Sequence, residues 1–309
     1  MNIVFMGTPD FAVPSLEILL SHGYTISAVV TAPDKPRGRG QQMSVTPVKA
    51  AALKHSLPLL QPDNLKDEEF ISNLKNLQPD LFVVVAFRIL PKEVYSIPAK
   101  GAFNLHASLL PKYRGAAPIN WAIINGEKDT GVTSFFLQDK VDTGNIILSA
   151  RTAIRDDMNA GELHDVLSEI GAEIVLQTVR LIELGKAQPR PQDNTLATPA
   201  PKIFKETCRI NWNQQSKKIY DFIRGLSPYP AAWTIHDGKM IKIYSSMQKS
   251  EIRSQRSEVG RVDVKGKQLF VQTQDGWLEI VELQQEGRKR MTAEEFLKGY
   301  TFSEDDRFA

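Results

Sequence analysis

The sequence predicts an α/β fold: a Rossmann-like, mostly parallel sheet, followed by a smaller OB-like β-barrel domain. Three observations carry this. Strand-length apolar runs alternate with amphipathic stretches through the first part of the chain, the pattern of βαβ units. Pro189, Pro191, Pro199 and Pro201 then crowd one stretch, which has the composition of a linker. Beyond it come short extended runs separated by Asp-Gly turns. A chain of 309 residues exceeds the usual size of one domain. The expected division is a first domain at 1–188, a linker at 189–206 and a second domain at 207–309.

Asn2 to Met6 is an apolar run of strand length, and Gly7-Thr8-Pro9-Asp10 turns the chain. Phe11 to Leu20 places Leu16, Leu19 and Leu20 at helical spacing and stops at Gly23. Tyr24 to Thr31 is a second strand, and strand–helix–strand within about 30 residues implies parallel pairing. Gly7 alone is not the G-x-G-x-x-G fingerprint, which argues against a nicotinamide cofactor. Between Pro33 and Pro47 the chain carries Lys35, Arg37, Arg39 and two glycines, and is expected to be an exposed loop without an element. Helices are expected over Pro47–Lys54 and Asp67–Asn76. Leu81 to Ala86 is a continuous β-branched run, typical of a strand covered on both faces.

Pro118–Asn125 reads as a helix, Gly131–Leu137 as a strand and Gln138–Gly144 as a loop. Asn145–Ser149 is extended again, and Gly161–Gly185 is a long amphipathic helix. Past the prolines come a helix at Ser216–Gly225 and five short strands: Trp233–His236, Met240–Ser245, Val259–Val264, Leu269–Thr273 and Trp277–Leu283. A closing helix follows at Ala293–Lys298. A small barrel of this kind is a common polynucleotide-binding scaffold.

Composition, 42% hydrophobic and 24% charged, is ordinary for a soluble globular protein. The first residues read as a strand and not as a signal peptide, and no apolar run approaches the ~20 residues of a membrane helix. The expectation is a cytoplasmic protein. The lone Cys208 excludes a disulfide framework or multi-Cys metal site. The five histidines lack ligand spacing, so no metal is expected. Residues 1–201 hold 19 Lys and Arg against 21 Asp and Glu, and residues 202–309 hold 19 against 15, giving −2 and +4. A basic excess on an appended domain fits a polyanion partner or a plain solvated surface.

The most informative run is Asn104-Leu-His106-Ala-Ser108-Leu109-Leu110-Pro111-Lys-Tyr113-Arg114-Gly115-Ala-Ala-Pro118. Asn104 and His106 stand two apart at the expected exit of a buried strand, so their side chains share a face. An amide donor beside a titratable imidazole suits acyl transfer, where a carbonyl oxygen gains charge and a proton moves. Strand-end residues that merely satisfy local backbone groups are the plain alternative. Asp142, in Val141-Asp142-Thr143-Gly144, is either a turn-former or the charge partner of His106.

This run, with an acid some 36 residues on, resembles the signature of the folate-dependent formyltransferases. The resemblance implies Asn104, His106 and Asp142 as the catalytic set and 10-formyltetrahydrofolate as the formyl donor. It implies that Ser108, Leu109, Leu110 and Pro111, with Phe87, Ile89 and Leu90, line the folate site. Phe87-Arg88-Ile89-Leu90-Pro91 is one residue shorter than the family's turn and lacks its glycine. Asp-x-Pro-x-Gly-Arg-Gly at 34–40 resembles the inserted loop of the members that act on methionyl-tRNA, and the run Arg288-Lys289-Arg290 resembles their C-terminal signature. The resemblance therefore implies initiator methionyl-tRNA as partner, contacted by Lys35, Arg37, Arg39, Lys289 and Arg290, and a monomer. Relatives that formylate an amino-sugar nucleotide or glycinamide ribonucleotide share the catalytic three. The basic loop and the second domain set this chain apart from them.

Overall fold

The computed structural model of the chain describes residues 1–37, 42–249, 258–303 and 305–309. In chain order the elements begin β1 (Asn2–Gly7), α1 (Val13–Ser21), β2 (Thr25–Val30), β3 (Lys35–Arg37), β4 (Gln42–Ser44), α2 (Pro47–Lys54) and β5 (Leu59–Leu60). Then come α3 (Glu68–Asn76), β6 (Leu81–Val85), α4 (Lys92–Tyr95), β7 (Ala102–His106), β8 (Arg114–Gly115) and α5 (Pro118–Ile124). They are followed by β9 (Asp129–Phe136), β10 (Ile146–Ala153), α6 (Ala160–Glu183) and β11 (Pro199–Ala200). The last are α7 (Ser216–Leu226), β12 (Ala232–His236), β13 (Lys239–Lys249), β14 (Val262–Lys265), β15 (Gln268–Gln272), β16 (Trp277–Gln285), β17 (Met291–Thr292) and α8 (Ala293–Leu297). Two compact units result. Met1–Gly115, Thr130–Thr152 and His164–Ala200 make the first, and Ala116–Asp129, Ala153–Leu163 and Pro201–Ala309 the second.

The first unit is built on a sheet of order β10-β9-β7-β6-β1-β2-β5. β1 runs parallel to β2 and β6, β2 to β5, and β6 to β7, while β9 is antiparallel to β7. The mostly parallel sheet is the one expected. Every residue of Leu81–Val85 is buried, as a strand covered on both faces requires. From β1 the chain moves outward to β2 and β5 and returns to β6 on the other side. The order thus reverses between β1 and β6, and ligands of such sheets bind beyond the carboxyl ends of strands at this point.

Helix starts follow local chemistry. Thr46 Oγ1 accepts from Lys49 N at 3.0 Å ahead of Pro47, and Asp67 accepts from Phe70 N at 3.2 Å ahead of Glu68 and Glu69.

The stretch expected to hold no element contains a short antiparallel ribbon, β3 against β4, with Lys35 opposite Ser44 and Arg37 opposite Gln42. Backbone hydrogen bonds make this ribbon, and three-residue strands leave no periodic signal in a sequence. Its base is anchored: Lys49 pairs with Asp34 and donates to Gln61 Oε1 at 2.8 Å, and Gln61 Nε2 donates to Ala32 O at 2.8 Å. The hydrogen bond from Lys49, with that of Gln61, holds the Asp34 carboxyl below its usual range.

Residues 190–200, linker-like in composition, are bonded to the first unit. Arg190 bridges Ile146, and β11 pairs in parallel with β8. Among the described residues the second unit holds a six-stranded antiparallel sheet, β12-β13-β16-β15-β14 with β17 on β16. Five strands were expected; β17 is two residues long, directly after a basic run, and invisible to patterning. Register shifts around Ser245 on β13 bend the sheet in the way a small barrel needs. Asp237 and Gly238, both at positive φ, turn β12 into β13. α7 packs on α5 so closely that a Cβ at Gly225 would stand 2.6 Å from Ile124 Cγ1.

Candidate active site

β7 delivers Asn104 and His106 to the carboxyl end of the sheet, two residues apart on one face. Beyond β7 the chain doubles back, and the turn is held by one of its own side chains and by Thr133 of β9. Ser108 Oγ donates to Lys112 O at 2.6 Å, and Thr133 Oγ1 donates to Ser108 O at 2.7 Å while accepting from Leu110 N at 3.1 Å. The return brings the Tyr113 carbonyl to 2.8 Å from His106 Nε2. A carbonyl only accepts, so Nε2 carries the hydrogen and Nδ1 is the nitrogen left for chemistry.

Nδ1 faces Asp142 Oδ2 at 3.8 Å, with side-chain exposures of 7% for His106 and 11% for Asp142. That separation is ion-pair range, longer than a direct hydrogen bond. A proton taken up at Nδ1 creates an imidazolium directly opposite the carboxylate. The ring is thus held from both sides: the Tyr113 carbonyl accepts from its far nitrogen, and Asp142 lies on the reactive side. Asp142 itself stands at φ 54°, in the left-handed region. Its Oδ2 accepts from Gly115 N at 2.9 Å.

Asn104 and Asp142 both line a cleft, together with Val84, Phe87, Arg88, Ile89, Leu90, Tyr95 and the loop Leu137–Val141. Among the described residues nothing hydrogen-bonds the Asn104 carboxamide, so its donors are free to meet a ligand. The cleft wall after β6 turns at Ala86, whose φ of 47° takes the role a glycine would fill. Arg88 pins this turn by donating to Asp63 O at 2.9 Å and Pro62 O at 2.6 Å, with its guanidinium 5.3 Å from the centre of the Phe87 ring. Also on this cleft, the Tyr95 hydroxyl donates to Asp139, and that bond pushes the phenol pKa up to about 12.

The structure therefore brings Asn104, His106, Asp142, Phe87, Ile89 and Leu90 together. It does not place Ser108, Leu109, Leu110 or Pro111 on this cleft's wall; they form the pinned turn that carries the Tyr113 carbonyl. Of the expected tRNA contacts, Lys35 is exposed on β3. Arg37 lies in the same strand, and Arg39 falls outside the described residues. Lys289 is exposed in the second unit, and Arg290 pairs with Glu282 and lies 4.4 Å over the Tyr244 ring. Sequence reasoning missed Gln192, which donates from Nε2 to Asp142 O at 2.9 Å and Gly144 O at 2.8 Å. Its neighbours include prolines and no periodicity marks it.

A family model described as formyl transferase matches residues 1–179, and one described as formyl transferase, C-terminal domain, matches residues 202–301. The methionyl-tRNA formyltransferase of Bacteroides fragilis is 48% identical over 314 residues, covering 98% of this chain and 96% of the relative. That of Chlorobium limicola is 50% identical over 308 residues, covering 98% and 97%. Among solved structures, HypX from Aquifex aeolicus in complex with tetrahydrofolic acid has a TM-score of 0.66 at 19% identity, over 99% of this chain and 50% of that one. This chain spans about half the length of HypX, and the likeness is one of fold. With formyl transferase matches over both its parts and relatives of this identity along its whole length, the chain belongs to the formyl transferase family, among the methionyl-tRNA formyltransferases.

Proposed function

We propose that this protein transfers the formyl group of 10-formyltetrahydrofolate to the free α-amine of methionyl initiator tRNA, giving formylmethionyl-tRNA for the start of translation. The observation that carries the reading is a free carboxamide, Asn104, and a carboxylate, Asp142, on one cleft, with His106 Nδ1 3.8 Å from that carboxylate. The amine nitrogen attacks the formyl carbon, and the carbonyl electron pair moves onto oxygen. Asn104 Nδ2–H and a protonated His106 Nδ1–H are the donors that meet this oxyanion; losing one such donor costs about a hundred- to a thousandfold in rate. Asp142 takes the amine's proton. As the intermediate collapses, the bond from carbon to N10 of the folate breaks and N10 gains a proton, so one proton lost by the amine balances one gained.

In this reading Phe87, Ile89 and Leu90 hold the folate ring, and the turn Ser108–Pro111 supports the site by carrying the Tyr113 carbonyl to His106. Lys35, Arg37, Arg39, Lys289 and Arg290 contact tRNA phosphates and terminal nucleotides. Folate chemistry belongs to residues 1–188 and tRNA contact to residues 207–309 and the basic loop. The protein works as a cytoplasmic monomer without a metal. The test is transfer of labelled formyl from 10-formyltetrahydrofolate to methionyl initiator tRNA, beside free methionine, glycinamide ribonucleotide and an amino-sugar nucleotide. Label on the tRNA alone is expected; label on a small amine and none on tRNA would overturn the acceptor.

A further inference from the structure

We infer that Gln192 is a positioning residue for this reaction, holding the loop that presents Asp142 to His106. The inference rests on the catalytic reading above. The Gln192 side chain is committed at both ends. Its Nε2 donates to the carbonyls of Asp142 and Gly144, and its Oε1 accepts from Arg114 Nε at 3.2 Å and Nη2 at 2.6 Å. The reverse amide orientation would set an oxygen against two carbonyls and an NH₂ against a guanidinium, so only one orientation satisfies all four contacts. Arg114 is itself fixed, since its Nη2 also donates to Asn194 Oδ1 at 2.8 Å and its backbone N donates to Thr198 O at 2.9 Å.

The consequence lies at Asp142. This residue stands at φ 54°, a left-handed conformation that Asp tolerates better than most side chains but that still needs favourable contacts to be held. Two contacts hold it, Gly115 N on the carboxylate and Gln192 on the main-chain carbonyl. Arg114 and Gly115 are adjacent, so one short strand positions the carboxylate directly and, through Gln192, the backbone that bears it. Gln192 is not itself among the residues that line the cleft, and it acts through Asp142, which lines it and whose carbonyl Gln192 holds.

The experiment uses the full chain. Gln192→Glu keeps the acceptor for Arg114, removes the donors and turns an oxygen toward two carbonyls; Gln192→Met removes all polar atoms at similar volume. Both are measured for kcat, for KM of each substrate and for melting temperature, alone and in an Asp142→Asn background. The expected result is a kcat loss of about tenfold to a hundredfold, the scale of small misplacements at an active site, with both KM values nearly unchanged. In the Asp142→Asn background neither Gln192 variant lowers kcat further, because residues acting through one group are not additive. A full loss repeated in that background, or wild-type kcat in the Met variant, overturns the inference. An Asp142→Asn enzyme with wild-type kcat overturns the catalytic reading instead.

Discussion

Gly144→Ala tests the geometry of the acid loop with a single methyl group. A Cβ at Gly144 would stand 1.6 Å from Phe136 O and 3.0 Å from Phe135 Cδ2, whereas real Cβ atoms essentially never come within 3.0 Å of a neighbour. The loop or the strand must therefore yield by at least 3.0 − 1.6 = 1.4 Å. Gly144 lies two residues from Asp142, and Gln192 holds the carbonyls of both. Taken up along the His106–Asp142 direction, the shift lengthens 3.8 Å to about 5.2 Å. At an effective dielectric of about 20, the attraction of a carboxylate for an imidazolium falls by about 1.2 kcal/mol over that distance, roughly a factor of seven. The hydrogen bond from Gly115 N, 2.9 Å long, breaks over the same movement. Together these predict a kcat reduced about tenfold to a hundredfold, against about 1–3 kcal/mol of overpacking destabilisation. The assay is formyl transfer to methionyl-tRNA at a temperature well below the melting point, with thermal unfolding measured on the same preparation. Wild-type kcat in Gly144→Ala would refute the claim that loop position sets the rate.

Three further outcomes are expected. Asn104→Ala should lose about a hundred- to a thousandfold in kcat with an unchanged melting temperature, because its amide has no described partner to leave behind; a lowered melting temperature would mark it as structural. In the folded protein Tyr95 should titrate near 12, against about 10 unfolded. Its folded value is raised, so the stability it adds is complete below the unfolded value and is lost as pH rises through the folded one. Ultraviolet difference titration of Asp139→Asn should show this tyrosine moved down, and an unmoved titration would dismiss the hydrogen bond as its cause. Arg39→Ala should raise KM for methionyl-tRNA while leaving that for formyl-folate alone; equal KM values for tRNA would remove the basic loop from acceptor recognition.

Much of this was legible in the chain because it is local or periodic. Helix starts at Pro47 and after Asp67, the buried run Leu81–Val85 and the turns at Asp237-Gly238 follow from propensity, capping and alternation. Asn104 and His106 could be placed on one face because a strand's period is two. The ribbon β3–β4 and strand β17 escaped, being made by backbone pairing across a few residues.

What the sequence by itself determined is the α/β architecture, the order of the elements and the three side chains that fit acyl transfer. What only the tertiary structure decided is how those side chains are held: which imidazole nitrogen is free, how far it lies from the carboxylate, and which groups keep Asp142 in a left-handed backbone. His106 is fixed by a carbonyl seven residues on, Asp142 by an amide 27 residues back, and its main chain by Gln192, 50 residues on. Separations of that kind have no sequence period. They exist only once the large sheet and the β8–β11 pair have brought the end of β7, β8 and the loop after β9 to one place, where each polar group must find a partner it could not reach along the chain.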